Sequence, residues 1–131
     1  MTIVKINGME RHLFFSVNVM FEVTDKYHSV QEALEKIAVL NREGFDVLRY
    51  LTVAMANEGE LIRREEGFDH LPFITAKDFS LHTRPEEFER VRTAVLEAIT
   101  EGYRREELGE EEETDLGLEE LNKGKKPKAG A

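Results

Sequence analysis

The stretch GFDVLRYLTVAMAN, residues 44–57, decides the fold of this chain. Its apolar residues recur on almost every side of a helix and leave little polar surface. A helix with this pattern is stable in water only when neighbouring elements cover most of its surface. We therefore predict a central helix from Gly44 to about Asn57. Glu58-Gly59 is a candidate break, and Glu60 to Glu66 is then either a continuation or a short separate turn.

Two shorter helices precede the central one, and each begins at a serine that can cap it. Ser16 is placed to cap a helix through about Lys26, and Ser29 with Glu32 has the capping-box spacing of a second helix up to Asn41. We expect the first helix to bury Val17, Met20, Phe21 and Val23 or Thr24. The apolar stripe of the second helix is Ala33, Leu34, Ile37, Ala38 and Leu40.

The first fifteen residues have the pattern of a β-hairpin. Thr2–Ile6 and Arg11–Phe15 flank Asn7-Gly8, a pair suited to the positive φ angles of a type I′ turn. An isolated hairpin is marginal in water, so its apolar face is expected to pack on a helical layer.

The segments after the central helix complete a mainly helical fold. Gly67 to Pro72 is predicted to be a loop, and Thr75 with Asp78 indicates a short helix ending near His82. Pro85 suits the first turn of a long last helix with the apolar stripe Phe88, Val91, Val95, Ile99 and Tyr103 and the polar face Glu87, Glu89, Arg90 and Glu97. The predicted fold class is mainly α (α+β), with an N-terminal β-hairpin packed on a small bundle of about four to five helices.

The composition of the 131 residues excludes several classes of protein. Hydrophobic residues make up 40% and charged residues 34%, which is enough apolar material for a core and argues against a fully disordered chain. No apolar run approaches the ~20 residues of a membrane-spanning helix, and the N-terminus shows no secretory signal, so we expect a cytoplasmic protein with no membrane partner. Without cysteine, disulfides, thiolate zinc sites and cysteine nucleophiles are excluded. The formal net charge of −9 disfavours nucleic acid as a partner.

The charge is distributed unevenly, and this marks a boundary. Residues 1–105 contain 14 basic and 18 acidic side chains, residues 106–120 add nine carboxylates and no base, and the remainder adds four lysines. We predict a folded helical domain with its hairpin over residues 1–107 and a flexible acidic and lysine-rich tail over residues 108–131.

The residues that could carry chemistry do not form a recognisable site. His12, His28, His70 and His82 show no metal-ligand spacing, so we expect no metal site. Asp69-His70 and the nearby Glu65-Glu66 are residue types that can act as general acids or bases. However, no serine or cysteine lies in the sequence context of a catalytic nucleophile. Arg63-Arg64-Glu65-Glu66 favours exposed ion pairing on a helix surface over a phosphate site. We therefore expect no enzymatic activity, no catalytic residue and no cofactor.

A family resemblance narrows the functional interpretation. Val4–Arg11 (VKINGMER) followed by Leu13–Ser16 (LFFS) resembles the opening of tail assembly chaperones from long-tailed phages and prophages of Gram-positive bacteria. Those proteins often begin with a strand, an Asn-Gly turn, a second strand and a helix. The similarity continues in Phe21–Tyr27, Ser29–Leu34, Met55–Leu61, Ile99–Tyr103 and Glu113–Leu118, and thus covers most of the chain.

The resemblance implies a non-enzymatic role in phage tail assembly. Family members bind the long tape-measure protein and keep it soluble until tail tube subunits polymerise around it. Many such genes also yield a longer product by programmed ribosomal frameshifting, and the extension recruits the tail tube protein. Lys123-Gly124-Lys125 is compatible with a slippery codon sequence, but a plain solubilising basic tail explains these residues equally well.

A different class of function stays open from the sequence. A small acidic adaptor or regulatory protein, such as an anti-repressor or a host-factor inhibitor, would compete with nucleic acid for a basic partner. The glutamate-rich segment would then make the contact, whereas a chaperone is expected to bind through apolar residues of the folded domain. The sequence leaves the oligomeric state and the binding face undetermined.

Overall fold

The computed structural model describes the backbone of residues 1–111 and the side chains of residues 1–104. This part contains a two-stranded antiparallel hairpin and five α-helices, which confirms the predicted fold class. The predicted tail lies outside the described residues from residue 112 onward. The elements are β1 (Thr2–Ile6), β2 (Met9–Leu13), α1 (Val17–Tyr27), α2 (Val30–Ile37), α3 (Arg42–Glu65), α4 (Ala76–His82), a 3-10 turn (Pro85–Glu87) and α5 (Phe88–Glu111).

The chain divides into two units, Met1–Ile99 and Thr100–Ala131. The first unit contains the hairpin, α1 to α4 and α5 as far as Ile99. The described part of the second unit is the remainder of α5, which extends past the predicted domain boundary at residue 107 to Glu111.

The predicted hairpin forms and packs on the helices through one face, but its second strand is Met9–Leu13 and not Arg11–Phe15. Asn7 and Gly8 have φ angles of 53° and 76°, the positive values that a type I′ turn requires. The inward-facing side chains of Val4, Ile6 and Leu13 are buried. The N–H of Phe14, just beyond β2, donates to the carbonyl oxygen of Met55 on α3 at 3.1 Å. The end of the hairpin is therefore fixed to the central helix.

Helix α3 is the predicted central helix, but it is longer than the sequence pattern indicated. It begins after Asn41, whose side chain accepts a hydrogen bond from the N–H of Gly44, and it continues through Glu58-Gly59 to Glu65. Gly59 is therefore no break. A Cβ atom at this position would lie 1.7 Å from the carbonyl oxygen of His12, so glycine is required where α3 and β2 approach each other.

Helix α1 has the predicted cap, but only part of its predicted apolar face, Val23 and partly Met20, is buried. Ser16 accepts a hydrogen bond from the N–H of Val19 and donates one to the Glu58 carboxylate on α3. Val19 and Val23 are buried, whereas Val17 and Phe21 are 48% and 59% exposed. The prediction that Val17 and Phe21 are buried is wrong. Apolar residues occupy two overlapping stripes in this helix, and the packing of α1 against α2 and α3 decides which stripe is buried.

Helices α2 and α5 also differ in detail from the sequence prediction. Helix α2 ends at Ile37, which leaves Ala38 and Leu40 exposed instead of in the apolar stripe. The last helix is preceded by the separate 3-10 turn, and its stripe is buried or partly buried from Phe88 to Ile99, while Tyr103 is 44% exposed. The Phe88 ring stacks on Phe45 of α3 at 4.7 Å between centroids, which places α5 against the central helix.

Candidate interaction surface

The histidine and acidic residues that were examined as possible metal ligands or acid–base groups do not come together in the fold. His12 lies in β2, His28 follows α1, His70 lies in the loop after α3 and His82 ends α4. Among the residues that the structure describes, no group of three or more histidine, aspartate or glutamate side chains is arranged to hold a metal ion. Glu65, Glu66, Asp69 and His70 are all exposed, so they do not form an enclosed acid–base site.

A buried carboxylate with three hydrogen-bond donors lies near the end of α3. The side chain of Glu60 is 2% exposed. Its Oε1 accepts a hydrogen bond from Arg63 at 2.7 Å, and its Oε2 accepts from Arg64 at 2.9 Å and from the N–H of Leu71 at 2.8 Å. Burial alone raises the pKa of Glu60, but these three donors outweigh burial and lower the pKa from 4.5 to about 2. Glu60 is therefore a permanent anion at neutral pH.

The two arginines connect this carboxylate to the loop between α3 and α4. Arg63 also donates to the carbonyl oxygen of Asp69 at 3.1 Å, and Arg64 donates to that of Leu71 at 2.8 Å. The predicted ion pairing of Arg63 and Arg64 is confirmed, but its predicted exposure is wrong, because the partner is buried Glu60. Their side chains are only 16% and 25% exposed. The arginines are thus structural supports of the loop.

Two further side chains hold the same loop from other directions. Asn57 on α3 donates to the carbonyl oxygen of Ile74 and accepts from its N–H, both at 2.9 Å. Arg11 of β2 is buried and donates to the carbonyl oxygen of Pro72 at 2.7 Å. Residues 69–74 lack helix or strand structure, yet their backbone is held by hydrogen bonds from α3 and from the hairpin.

The fixed loop presents two aromatic rings to solvent. Phe68 is 56% exposed and lies 5.4 Å from the guanidinium of Arg63. Phe73 is 44% exposed and lies 4.1 Å from the guanidinium of Arg64. We refer to these four residues as the Phe68/Phe73 surface. Aromatic side chains that are exposed on an ordered base are among the residue types that dominate binding energy at protein interfaces.

The Phe68/Phe73 surface was not among the sequence predictions, although part of its signal is present in the sequence. Glu60, Arg63 and Arg64 have the i, i+3 and i+4 spacing of helix ion pairs, and that spacing can be read directly from the sequence. The candidate break at Gly59 separated these residues from the central helix in the prediction. The burial of Glu60 depends on the path of the loop, which no local pattern specifies.

Comparison with models of protein families, with curated proteins and with solved structures finds no match to this chain. The part of the chain that the structure describes also contains no helix of the length and apolar character needed to cross a bilayer.

Proposed function

We propose that this chain is a phage tail assembly chaperone that binds the tape-measure protein and keeps it soluble during tail assembly. The resemblance over residues 4–16 and through later stretches to Leu118 supports the proposal. The observation that carries it furthest is the Phe68/Phe73 surface, where two large apolar rings stay in water although the backbone beneath them is fixed.

The order of the loop is what makes the exposed rings suitable for binding. A loop that must become ordered on binding loses conformational entropy, and that loss reduces the affinity. The contacts of Glu60, Asn57 and Arg11 fix the loop beforehand, so a partner meets Phe68 and Phe73 in place. Each ring gains roughly 25 cal/mol for every Å² of apolar surface that a partner buries.

The expected partner chemistry fits this surface. A tape-measure protein is long and helical and has an apolar seam, so uncovered copies would aggregate. A small partner that covers the seam at many points and brings a net charge of −9 would keep the coated filament in solution by like-charge repulsion. Repeated contacts of moderate affinity also allow tail tube protein to displace the chaperone.

The longer frameshifted product is a second part of the proposal. Lys123-Gly124-Lys125 is the segment compatible with a slippery codon sequence, and an extension from there would recruit the tail tube protein. Sequencing of the codons for residues 120–131, together with mass spectrometry of the gene product, tests this part separately. A single product of 131 residues would contradict it.

The binding proposal is tested by pull-down of tape-measure fragments with purified chain. We expect a Phe68→Ser/Phe73→Ser double variant to lose binding, because both exposed rings are removed and the contacts of Glu60 are kept. Ile3→Ser is the matched control, since Ile3 is 50% exposed on β1 and lies outside the Phe68/Phe73 surface. Equal binding by the double variant and the wild type would contradict the proposed surface.

The same assay separates the chaperone from the acidic adaptor. Deletion of residues 108–131 should leave fragment binding intact, because carboxylates contribute nothing to an apolar seam. Raised salt should weaken binding only slightly, because salt screens exposed charges and has little effect on apolar burial. Binding that disappears with residues 108–131 or at high salt would favour the adaptor and contradict the chaperone.

A further inference from the structure

A cleft of about 370 Å³ lies between α1 and α3, away from the residues of the Phe68/Phe73 surface. Two tyrosines, Tyr27 at the end of α1 and Tyr50 on α3, form part of its wall. Their rings meet edge to face, with centroids 5.8 Å apart and planes at 79°. Val47, buried in the core, and Ala76 add apolar lining.

An ammonium group from the chain itself already lies against both rings. Lys26 Nζ is 5.3 Å from the ring centroid of Tyr50 and 5.8 Å from that of Tyr27. Both distances are within the range of a cation–π interaction, in which a cation is attracted to the negative face of an aromatic ring. The two rings therefore already accommodate one ammonium group of the chain itself.

Carboxylates around the tyrosines add to the attraction for a cation. Glu43 and Asp46 line the cleft, and Glu22 accepts a hydrogen bond from the Tyr50 hydroxyl at 3.3 Å. Burial raises the pKa of Tyr50 to about 12, and the charge of Glu22 acts in the same direction. Burial and then the charge of Asp46 raise the pKa of Tyr27 as well. Both phenols are therefore neutral at physiological pH and add no negative charge of their own to the cleft.

The cations that pair with these carboxylates are partly exposed, and one of them, Arg49, also lines the cleft. Asp46 pairs with Arg42 at 3.2 Å and with Arg49 at 3.3 Å, and Glu43 pairs with Lys36 at 2.8 Å. Pairs between side chains with this much solvent contact contribute little free energy. An incoming cation can therefore share Glu43 and Asp46 without breaking a strong contact.

We propose that the Tyr27–Tyr50 cleft binds a primary alkylammonium group, the head group of a lysine side chain, which takes the place of Lys26. The two rings and the carboxylates receive the ammonium, and Val47 and Ala76 contact the alkyl stem. This site goes beyond the proposed function, because it selects a cation and not an apolar seam.

The test is an NMR titration of the full chain with n-butylammonium, observed at the tyrosine ring resonances, with n-butanol as the neutral control. We expect saturable shifts of Tyr27 and Tyr50 with the ammonium alone. Lys26→Met should tighten binding about two- to five-fold, because it removes the competing cation and a surface cation–π contact has that value. Equal shifts with n-butanol, or unchanged affinity in Lys26→Met, would overturn the proposal.

A matched pair of variants tests the role of the aromatic ring. Tyr50→Phe keeps the ring and loses only the hydrogen bond to Glu22, so it should bind n-butylammonium nearly as the wild type does. Tyr50→Leu removes the ring and should lose the saturable shift of Tyr27. Equal binding by the two variants would contradict the cation–π basis. If Tyr50→Leu fails to fold, the Lys26→Met titration decides the question.

Two probes distinguish the sources of the ammonium group. Tighter binding of a capped Gly-Lys-Gly peptide than of n-butylammonium would identify a lysine of a partner protein. Tighter binding of spermidine would identify a free polyamine. Both results support an ammonium site, whereas failure of both probes to bind would overturn it. None of these probes contains an apolar helix, so the outcome is independent of tape-measure binding.

Discussion

Replacement of Glu60 by glutamine tests the structural basis of the Phe68/Phe73 surface. Glutamine has nearly the same shape but no charge, and its amide group cannot accept from all three donors that Glu60 serves. The folded-state pKa of about 2, against an ordinary value of 4.5, corresponds to about 3 kcal/mol at ~1.4 kcal/mol per pKa unit. Arg63 and Arg64 are partly exposed, and solvent screening reduces the expected loss to about 2 kcal/mol.

The pH dependence of this loss distinguishes the charge from simple packing. Because the pKa of Glu60 is lower in the folded state, its stabilising contribution is complete above about pH 5. The contribution decreases as the pH falls toward the folded-state pKa of about 2. The difference in unfolding free energy between wild type and Glu60→Gln should therefore shrink steadily from pH 5 to pH 3.

The assay is urea denaturation of both proteins between pH 7 and pH 3, analysed for midpoint and slope. Glu65→Gln is the control, because Glu65 is exposed on the same helix and is expected to change stability by less than about 0.5 kcal/mol. A loss at pH 7 below about 0.5 kcal/mol for Glu60→Gln, or a loss independent of pH, would refute the account of the buried carboxylate.

Three further changes test the packing of the fold. Leu51→Ala should cost roughly 2–5 kcal/mol of unfolding free energy, because Leu51 is 1% exposed at the centre of α3. A loss below about 1 kcal/mol in urea denaturation would contradict its core position. Gly59→Ala should lower the free energy of unfolding by at least about 2 kcal/mol, since the alanine Cβ would overlap the backbone of His12. Wild-type stability of this variant would contradict the close contact of α3 and β2. His28→Gly should raise stability by about 0.5–1 kcal/mol, because His28 has a φ of 77° that glycine adopts without strain; a lower melting temperature would contradict that reasoning.

The parts of the fold that depend on local chemistry could be predicted from the sequence. Asn7-Gly8 specifies its turn through backbone preference, and Ser16, Ser29 and Thr75 each accept the capping hydrogen bond that their positions suggest. These features involve residues at most three positions apart. Their physical cause is therefore contained in the sequence pattern itself.

The features that could not be predicted depend on contacts between distant segments. Glycine commonly interrupts a helix, and only the close approach of the His12 backbone explains why Gly59 lies inside α3. Phe21 is as apolar as Val23, and the packing of α1 decides which of them is buried. Glu60 is charged, so its burial follows only from Leu71 and the arginines that the loop brings to it.

The central claim is that the Phe68/Phe73 surface keeps an apolar helical partner in solution, and co-expression tests it most directly. The measurement is the soluble fraction of full-length tape-measure protein expressed alone, with the wild-type chain, with Ile3→Ser, and with the Phe68→Ser/Phe73→Ser double variant. We expect the wild type and Ile3→Ser to raise the soluble fraction several-fold and the double variant to leave it at the level of the tape-measure protein alone. An equal soluble fraction with the wild type and with the folded double variant would contradict the claim.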